Sequence, residues 1–408
     1  MGSLRILHVA PYFERAWAYG GIPRVVSAQV HALAAAGHRV TVMTTDACDA
    51  DSRAGAPGSN GSSPFAMRVE HTPDGVEVRT FSNLSNALAY RWQLFTPAGF
   101  GRDIRASAGR FDVAHLHACH NVLTSTAARH LERAGIPYVV QPNGTAARIE
   151  RRRAAKWMFD LLLGRHVLPD AALVIAVTEW EKSQLEGAGV LASRLRVVPN
   201  PVARVPSAPR PPDASFRERY DLTDGPLVLF LGMMSPRKHP EMLAKAVAGL
   251  HRTDVQLVLA GNDMGAGQRT MRVVREGGLE PRARFTGLLS GSARYAALAA
   301  ADVVVYPSRD EAFGLVPLEA LQVGTPVIVC NDAGCGEVVA AVGGGLLVPP
   351  GNAGALAAAL DTMLRAPERW REAAARAGAE VRRRFHPDVV CAQLDVVYRE
   401  AIAGGRRL

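Results

Sequence analysis

The stretch PLVLFLGMMSPRKHPEMLAKAV, residues 226–247, carries the reading of the fold. Leu227 to Leu231 is an unbroken apolar run, too short for a helix and lacking the alternation of a half-exposed strand, so it predicts a strand covered on both faces. Gly232 ends it, Pro236 and Pro240 break the loop that follows, and an apolar-periodic helix begins beyond them. Arg237 and Lys238 sit just ahead of that helix, where two cations and free N–H groups face one space and suit a diphosphate. The plainer alternative is a solvated pair of charges.

The same strand, loop, helix grammar extends in both directions. RILHVAP, HRVTVMTT, DVAHLHA and IPYVVQP recur in the first half, and VQLVLAG, ARFTGLL, DVVVYPS and TPVIVCN in the second. Buried strands separated by helices mean parallel sheets with right-handed crossovers. The expected architecture is therefore α/β, two doubly wound Rossmann-like domains facing across a cleft, with ligands at the carboxyl ends of the strands. The proline-rich run VVPNPVARVPSAPRPPDAS, residues 197–215, cannot continue a helix or a central strand. It divides an N-terminal domain, 1–200, from a linker, 201–215, and a C-terminal domain, 216–384. A final helix, about 385–408, is expected to pack back on the first domain.

The chain has 408 residues, enough for two cores. Its net charge of +9 is uneven: residues 1–205 hold 23 bases and 16 acids, which points the first half toward an anionic ligand or an anionic membrane surface. Basic residues are not interleaved with aromatics in the manner of RNA binders, so nucleic acid is not expected. Five scattered cysteines read as free thiols of a reducing compartment. The apolar part of MGSLRILHVAPY is too short for a signal peptide and no 18-residue apolar run occurs, so the expected location is cytoplasmic, with membrane association on the cytosolic face as an option.

Further residues carry possible chemistry. Gly20 and Gly21 lie between the first strand and a helix, a junction where backbone N–H groups can approach an anion, although the G-x-G-x-x-G spacing is lacking. EAFGLVPLE, residues 311–319, straddles a loop-to-helix junction: Glu311 in the loop can accept from sugar hydroxyls, and Glu319, one turn into the helix, from a ribose. Glu319 could equally serve the helix dipole. In HLHACHN, alternation puts His115 and His117 on one strand face. Without a carboxylate or fourth ligand nearby they are not read as a metal pair; His117, at the strand end, is the better substrate contact and His115 a core residue. The segment 148–171 is basic and then apolar, which fits either a helix lying on an anionic bilayer or a core-packed helix with a basic turn.

Taken together, RDEAFGLVPLEALQVGTPVIVCNDAGCGEVV, LGMMSPRK, LVLAGND, RFTGLL, VVPNPV and the early GGIPRVV…LAAAGHRVTVMTT closely resemble the retaining glycosyltransferases of family 4, which have the GT-B fold. The resemblance spans nearly the whole chain. It implies transfer of a sugar from a nucleoside-diphosphate donor to a hydroxyl acceptor, carbohydrate or lipid-linked, with retention and with no metal or other cofactor. It implies Glu319 on the ribose, Glu311 on the transferred sugar, and N–H groups of Phe313, Gly314 and Leu315 on sugar or phosphate. Lys238 and Arg237 would meet the diphosphate beside Gly232, with Gly20 and Gly21 closing on it, and backbone of Gly287 and Leu288 would touch the base. Arg24, His117 and Asn121 fall on the acceptor side. Two positions depart from the family: Met233 replaces a frequent arginine, and Asn143 replaces a frequent histidine at the catalytic strand end, where an amide can donate but cannot relay a proton. A catalytically silent nucleotide-sugar-binding or scaffold protein is the alternative.

Overall fold

The computed structural model describes residues 2–16, 19–49, 53, 67–85, 88–90, 94–146, 166–205 and 214–405. The chain divides into two compact units, one of residues 1–201 with 387–408, the other of residues 202–386.

The first unit holds an eight-stranded sheet. Its strands are β1 (Arg5–Val9), β2 (Arg39–Thr45), β3 (Arg68–His71), β4 (Glu77–Phe81), β5 (Val113–His117), β6 (Tyr138–Gln141), β7 (Leu173–Ala176) and β8 (Leu195–Val197), in the order β3-β4-β2-β1-β5-β6-β7-β8. All neighbours are parallel except β3 and β4. That antiparallel edge went unread in the sequence because RVEH is short, polar and exposed, with none of the apolar signal of a covered strand. One face of the sheet packs Ile6, Val30 and Leu33 against Val390, Leu394 and Tyr398 of the terminal helix Pro387–Gly405. The other packs Leu7, Val9 and Leu116 against Leu123 and Leu131.

The second unit is a six-stranded parallel sheet: β9 (Leu227–Leu231), β10 (Gln256–Ala260), β11 (Ala283–Gly287), β12 (Val303–Tyr306), β13 (Val327–Cys330) and β14 (Gly345–Val348), ordered β11-β10-β9-β12-β13-β14. Every residue of β9 is buried, as the continuous run LVLFL requires of a central strand covered on both faces. Among the parallel strands of each sheet the order reverses between β1 and β5 and between β9 and β12. At such a point neighbouring connections run to opposite faces and leave a crevice at the strand ends.

Close backbone approach shapes the second crevice. Gly261, just past β10, has φ +150°, and a Cβ there would lie 1.8 Å from the Gly232 carbonyl oxygen. A backbone oxygen cannot swing aside as a side chain can. Gly261→Ala is expected to destabilise this unit by about 2–3 kcal/mol, read as a lowered urea midpoint; an unchanged midpoint would show that the two loops are not held this close.

Candidate functional site

In the second unit, β9 and β12 deliver their loops to the reversal point. After β9, Gly232 donates its N–H to Ala260 O at 2.9 Å, and a short turn Pro236–Lys238 leads to the helix Pro240–Ala248. After β12, Ser308 to Gly314 form a loop that ends at the helix Leu315–Gln322. Arg309 N donates to Arg237 O at 3.0 Å, and the Arg237 guanidinium donates to Asp310 O at 3.4 Å, so the two loops are laced together.

Lys238 is not a solvated surface cation. It is 5% exposed, its Nζ donates to Glu311 Oε2 and to the Tyr306 hydroxyl, and it lies 4.3 Å from the centre of the Tyr306 ring. Ser308 Oγ donates to the same Glu311 oxygen at 3.1 Å. Burial by itself would lift the Glu311 carboxyl, but the charges of Lys238 and Arg237 outweigh it and hold it at about 2. Burial lowers the Lys238 ammonium, with Glu311 opposing. The pair is a buried ion pair at neutral pH.

The rest of the EAFGLVPLE segment is similarly fixed. The Glu311 carbonyl accepts from Cys335 N at 2.8 Å, and Phe313 is buried edge-on against Phe385, ring centres 5.5 Å apart. Gly314 opens the helix at φ +80°, where a Cβ would come 2.5 Å from Cys335 Sγ, so the position admits glycine alone. Leu315 is the first helical residue. Glu319 is 4% exposed and paired with Arg294. Gly287, at φ +71°, accepts from Gly261 N at 2.8 Å, and Leu288 next to it is half exposed. Sequence reasoning missed Arg294, Tyr306 and Ser308. Arg294 had a signal, being the one charged residue in GSARYAALAA; Tyr306 and Ser308 had only their place at a strand end.

The first unit's reversal point is more polar. Gly20, at φ +95°, and Gly21 precede the helix Ile22–Ala35, with Arg24 half-buried in its first turn. Asn121 caps the helix Val122–Arg133, its side-chain oxygen accepting from Thr124 N at 2.9 Å. Asn143 stands at φ +54° just beyond β6, its amide 3.5 Å from Gln141. Glu181 fixes that turn: its buried carboxylate accepts from Gly144 N and Val177 N, and burial raises its protonation range. Asn200 is buried and accepts from Gln141 Nε2 at 2.8 Å.

His117 has no exposed surface. Its Nε2 pairs with His8 Nδ1 at 2.9 Å, while His115 Nδ1 pairs with the Tyr398 hydroxyl at 2.8 Å. His8 on the adjacent strand is the third member that strand alternation could not reveal. The three rings offer nitrogens within 4.8 Å of one another, enough by count for a metal ligand set. His8 and His117 share one hydrogen bond and His115 makes one to Tyr398, while His115 Nε2 and His117 Nδ1 have no partner among the described residues, which describes a neutral, partly satisfied buried cluster. Burial pushes His8 down to about 3 and the other two well below the usual imidazole range.

Residues 148–165, most of the basic and apolar segment, lie outside the described residues. Among the described residues no helix is long and apolar enough to cross a membrane.

Comparison with known proteins meets this geometry from three sides. The family model described as "Glycosyl transferases group 1" matches residues 213–383, and "Glycosyl transferase 4-like domain" matches residues 20–201. A phosphatidyl-myo-inositol mannosyltransferase from Mycobacterium leprae is 31% identical over 322 residues, 77% of this chain and 80% of that protein. The solved structure of sucrose-phosphate synthase from Thermosynechococcus elongatus superposes with a TM-score of 0.74 at 23% identity, covering 98% of this chain and 99% of the other. Anabaena HepE in complex with UDP-glucose superposes at 0.72 with 19% identity, over 97% and 99%.

Proposed function

The chain belongs to glycosyltransferase family 4, with the GT-B fold, and from that premise we propose that it moves a hexosyl group from a nucleoside-diphosphate sugar to a hydroxyl acceptor with retention of configuration. The observation that carries the reading is the buried Lys238–Glu311 pair at the β9/β12 reversal point. A buried ion pair adds little to stability over an apolar replacement, so its place at the strand ends is best accounted for by chemistry. Lys238 has three N–H donors, two of them spent on Glu311 and Tyr306; we assign the third to a phosphate oxygen of the donor.

In this mechanism the diphosphate leaves against Lys238, Arg237 and the backbone N–H groups beside Gly232 and Gly314. Those groups stabilise the charge growing on it, so no metal is required. Glu311, kept ionised, accepts from hydroxyls of the transferred sugar, and Glu319 from the ribose. Gly287 and Leu288 border the base. The acceptor's proton passes to the departing phosphate oxygen on the same face, which needs no relay from Asn143. The Mycobacterium leprae relative's name and the UDP-glucose complex of HepE support a hexose donor and a carbohydrate or glycolipid acceptor. A lipid-linked acceptor would place the reaction at the cytosolic face of a membrane.

A thermal-shift series of UDP, GDP and ADP with their hexose conjugates tests the donor class. One base is expected to raise the melting temperature, since a ligand of the folded state alone stabilises by about 2.7 kcal/mol at a hundredfold excess over its Kd. Proton NMR of the product then reads the anomer. No shift with any nucleotide would overturn the reading; binding without transfer or hydrolysis would favour the silent binding protein that Met233 and Asn143 allow.

A further inference from the structure

We infer that Arg294 is a positioning residue for donor recognition: it holds the Glu319 carboxylate in the orientation that accepts a ribose diol, and so sets discrimination between ribo- and 2′-deoxyribonucleotides. The inference rests on the role proposed above for Glu319.

Arg294 lies on the helix Gly291–Ala300, one turn past the Gly287–Leu288 segment that borders the base. Its side chain is 12% exposed and its Nη2 donates to Glu319 Oε2, in a pair covered almost completely. The helix around it is built of alanine, glycine, serine, leucine and tyrosine, so this one guanidinium is introduced into an otherwise uncharged element. Its far end is tied down where Thr325 Oγ1 donates to Leu298 O at 2.7 Å. Arg294 therefore projects from a fixed platform.

Desolvating a guanidinium and a carboxylate costs about as much as their attraction returns, and apolar side chains of similar volume would stabilise the packing as well or better. What the pair supplies that leucine cannot is direction. A guanidinium is planar and rigid, and its Nη2–H bond to Oε2 restrains the Glu319 carboxylate from swinging about its last bond. A vicinal diol needs that same fixed plane, because its two hydroxyls must donate to a carboxylate at once. One arginine thus joins the helix following the base-bordering turn to the acid assigned to the ribose.

The test compares equilibrium binding of UDP, GDP and ADP with that of their 2′-deoxy forms, using the full chain, Arg294→Leu, Arg294→Gln and, as reference, Glu319→Gln. The wild type is expected to bind its preferred diphosphate about tenfold more tightly than the 2′-deoxy form, the scale of a hydrogen bond to a charged group. Arg294→Leu should weaken the ribonucleotide most and shrink that ratio to within about threefold, as Glu319→Gln does. Loss of packing alone would weaken both nucleotides equally and leave the ratio intact. Should Arg294→Leu fail to fold, Arg294→Gln, which keeps donors but not the charged fork, carries the same comparison. A wild type that does not distinguish the sugars removes the Glu319 assignment and this inference with it. A tenfold wild-type ratio that persists in the Arg294 variants overturns the inference alone.

Discussion

Replacing Lys238 by alanine is expected to lower turnover by about 10²- to 10³-fold, the usual loss when one preorganised group facing the developing charge is removed. Two effects add. On the proposed reading the departing diphosphate loses a buried cation, and Glu311 loses the charge that holds its carboxyl at about 2 against the pull of burial. An uncompensated buried carboxylate also destabilises the unit, by about 3 kcal/mol. Activity must therefore be read on protein shown by circular dichroism to be folded. Glu311→Gln separates the two effects, because it keeps the cation and removes only the acid: it should cut kcat with little change in donor affinity, whereas Lys238→Ala weakens both. Equal kcat in folded Lys238→Ala and wild type would end the assignment.

That pair also shows how far sequence alone reaches. Lys238 and Glu311 lie 73 residues apart, and each was legible as a candidate from its place between a strand end and a helix. Their contact was not, because it depends on β9 and β12 being neighbours, a fact of strand order that no local pattern encodes. The histidines illustrate the same limit. Alternation along β5 put His115 beside His117, but His8 joins them through the pairing of β1 with β5, and Tyr398 through a helix nearly three hundred residues away. The central strands were readable because burial on both faces leaves a continuous apolar run. The partly exposed β3 and β14 were not, and neither were β4, β8 and the buried β7, whose four-residue run is short.

Lowering the pH from 7.5 to 5 is expected to remove about 2 kcal/mol of the first unit's stability through His8, with His115 and His117 acting in the same direction. In the unfolded chain each imidazole takes up a proton near the ordinary value of 6.5. In the fold His8 stays neutral down to about 3, and His115 and His117 are likewise held well below 6.5, burial being the leading cause in all three. Between those limits the unfolded state binds more protons, so stability is full above 6.5 and is lost as the pH falls toward the folded values. Each extra proton contributes a slope of about 1.4 kcal/mol per pH unit. His31 works the other way: hydrogen-bonded to Glu14 and Asp74 it is raised to about 9, and its contribution is present below 6.5 and lost as the pH climbs past 9. A third of that side chain is exposed, so solvent screening leaves it too weak to offset three buried rings. Hydrogen exchange at the β1 and β5 amides, followed at pH 7.5 and 5.5, reads the loss directly. His8→Gln, which cannot take up the proton in either state, should flatten the dependence. Protection at β1 and β5 that is the same at both pH values would mean the histidine chain accepts protons in the folded state, and the neutral buried network would have to be abandoned.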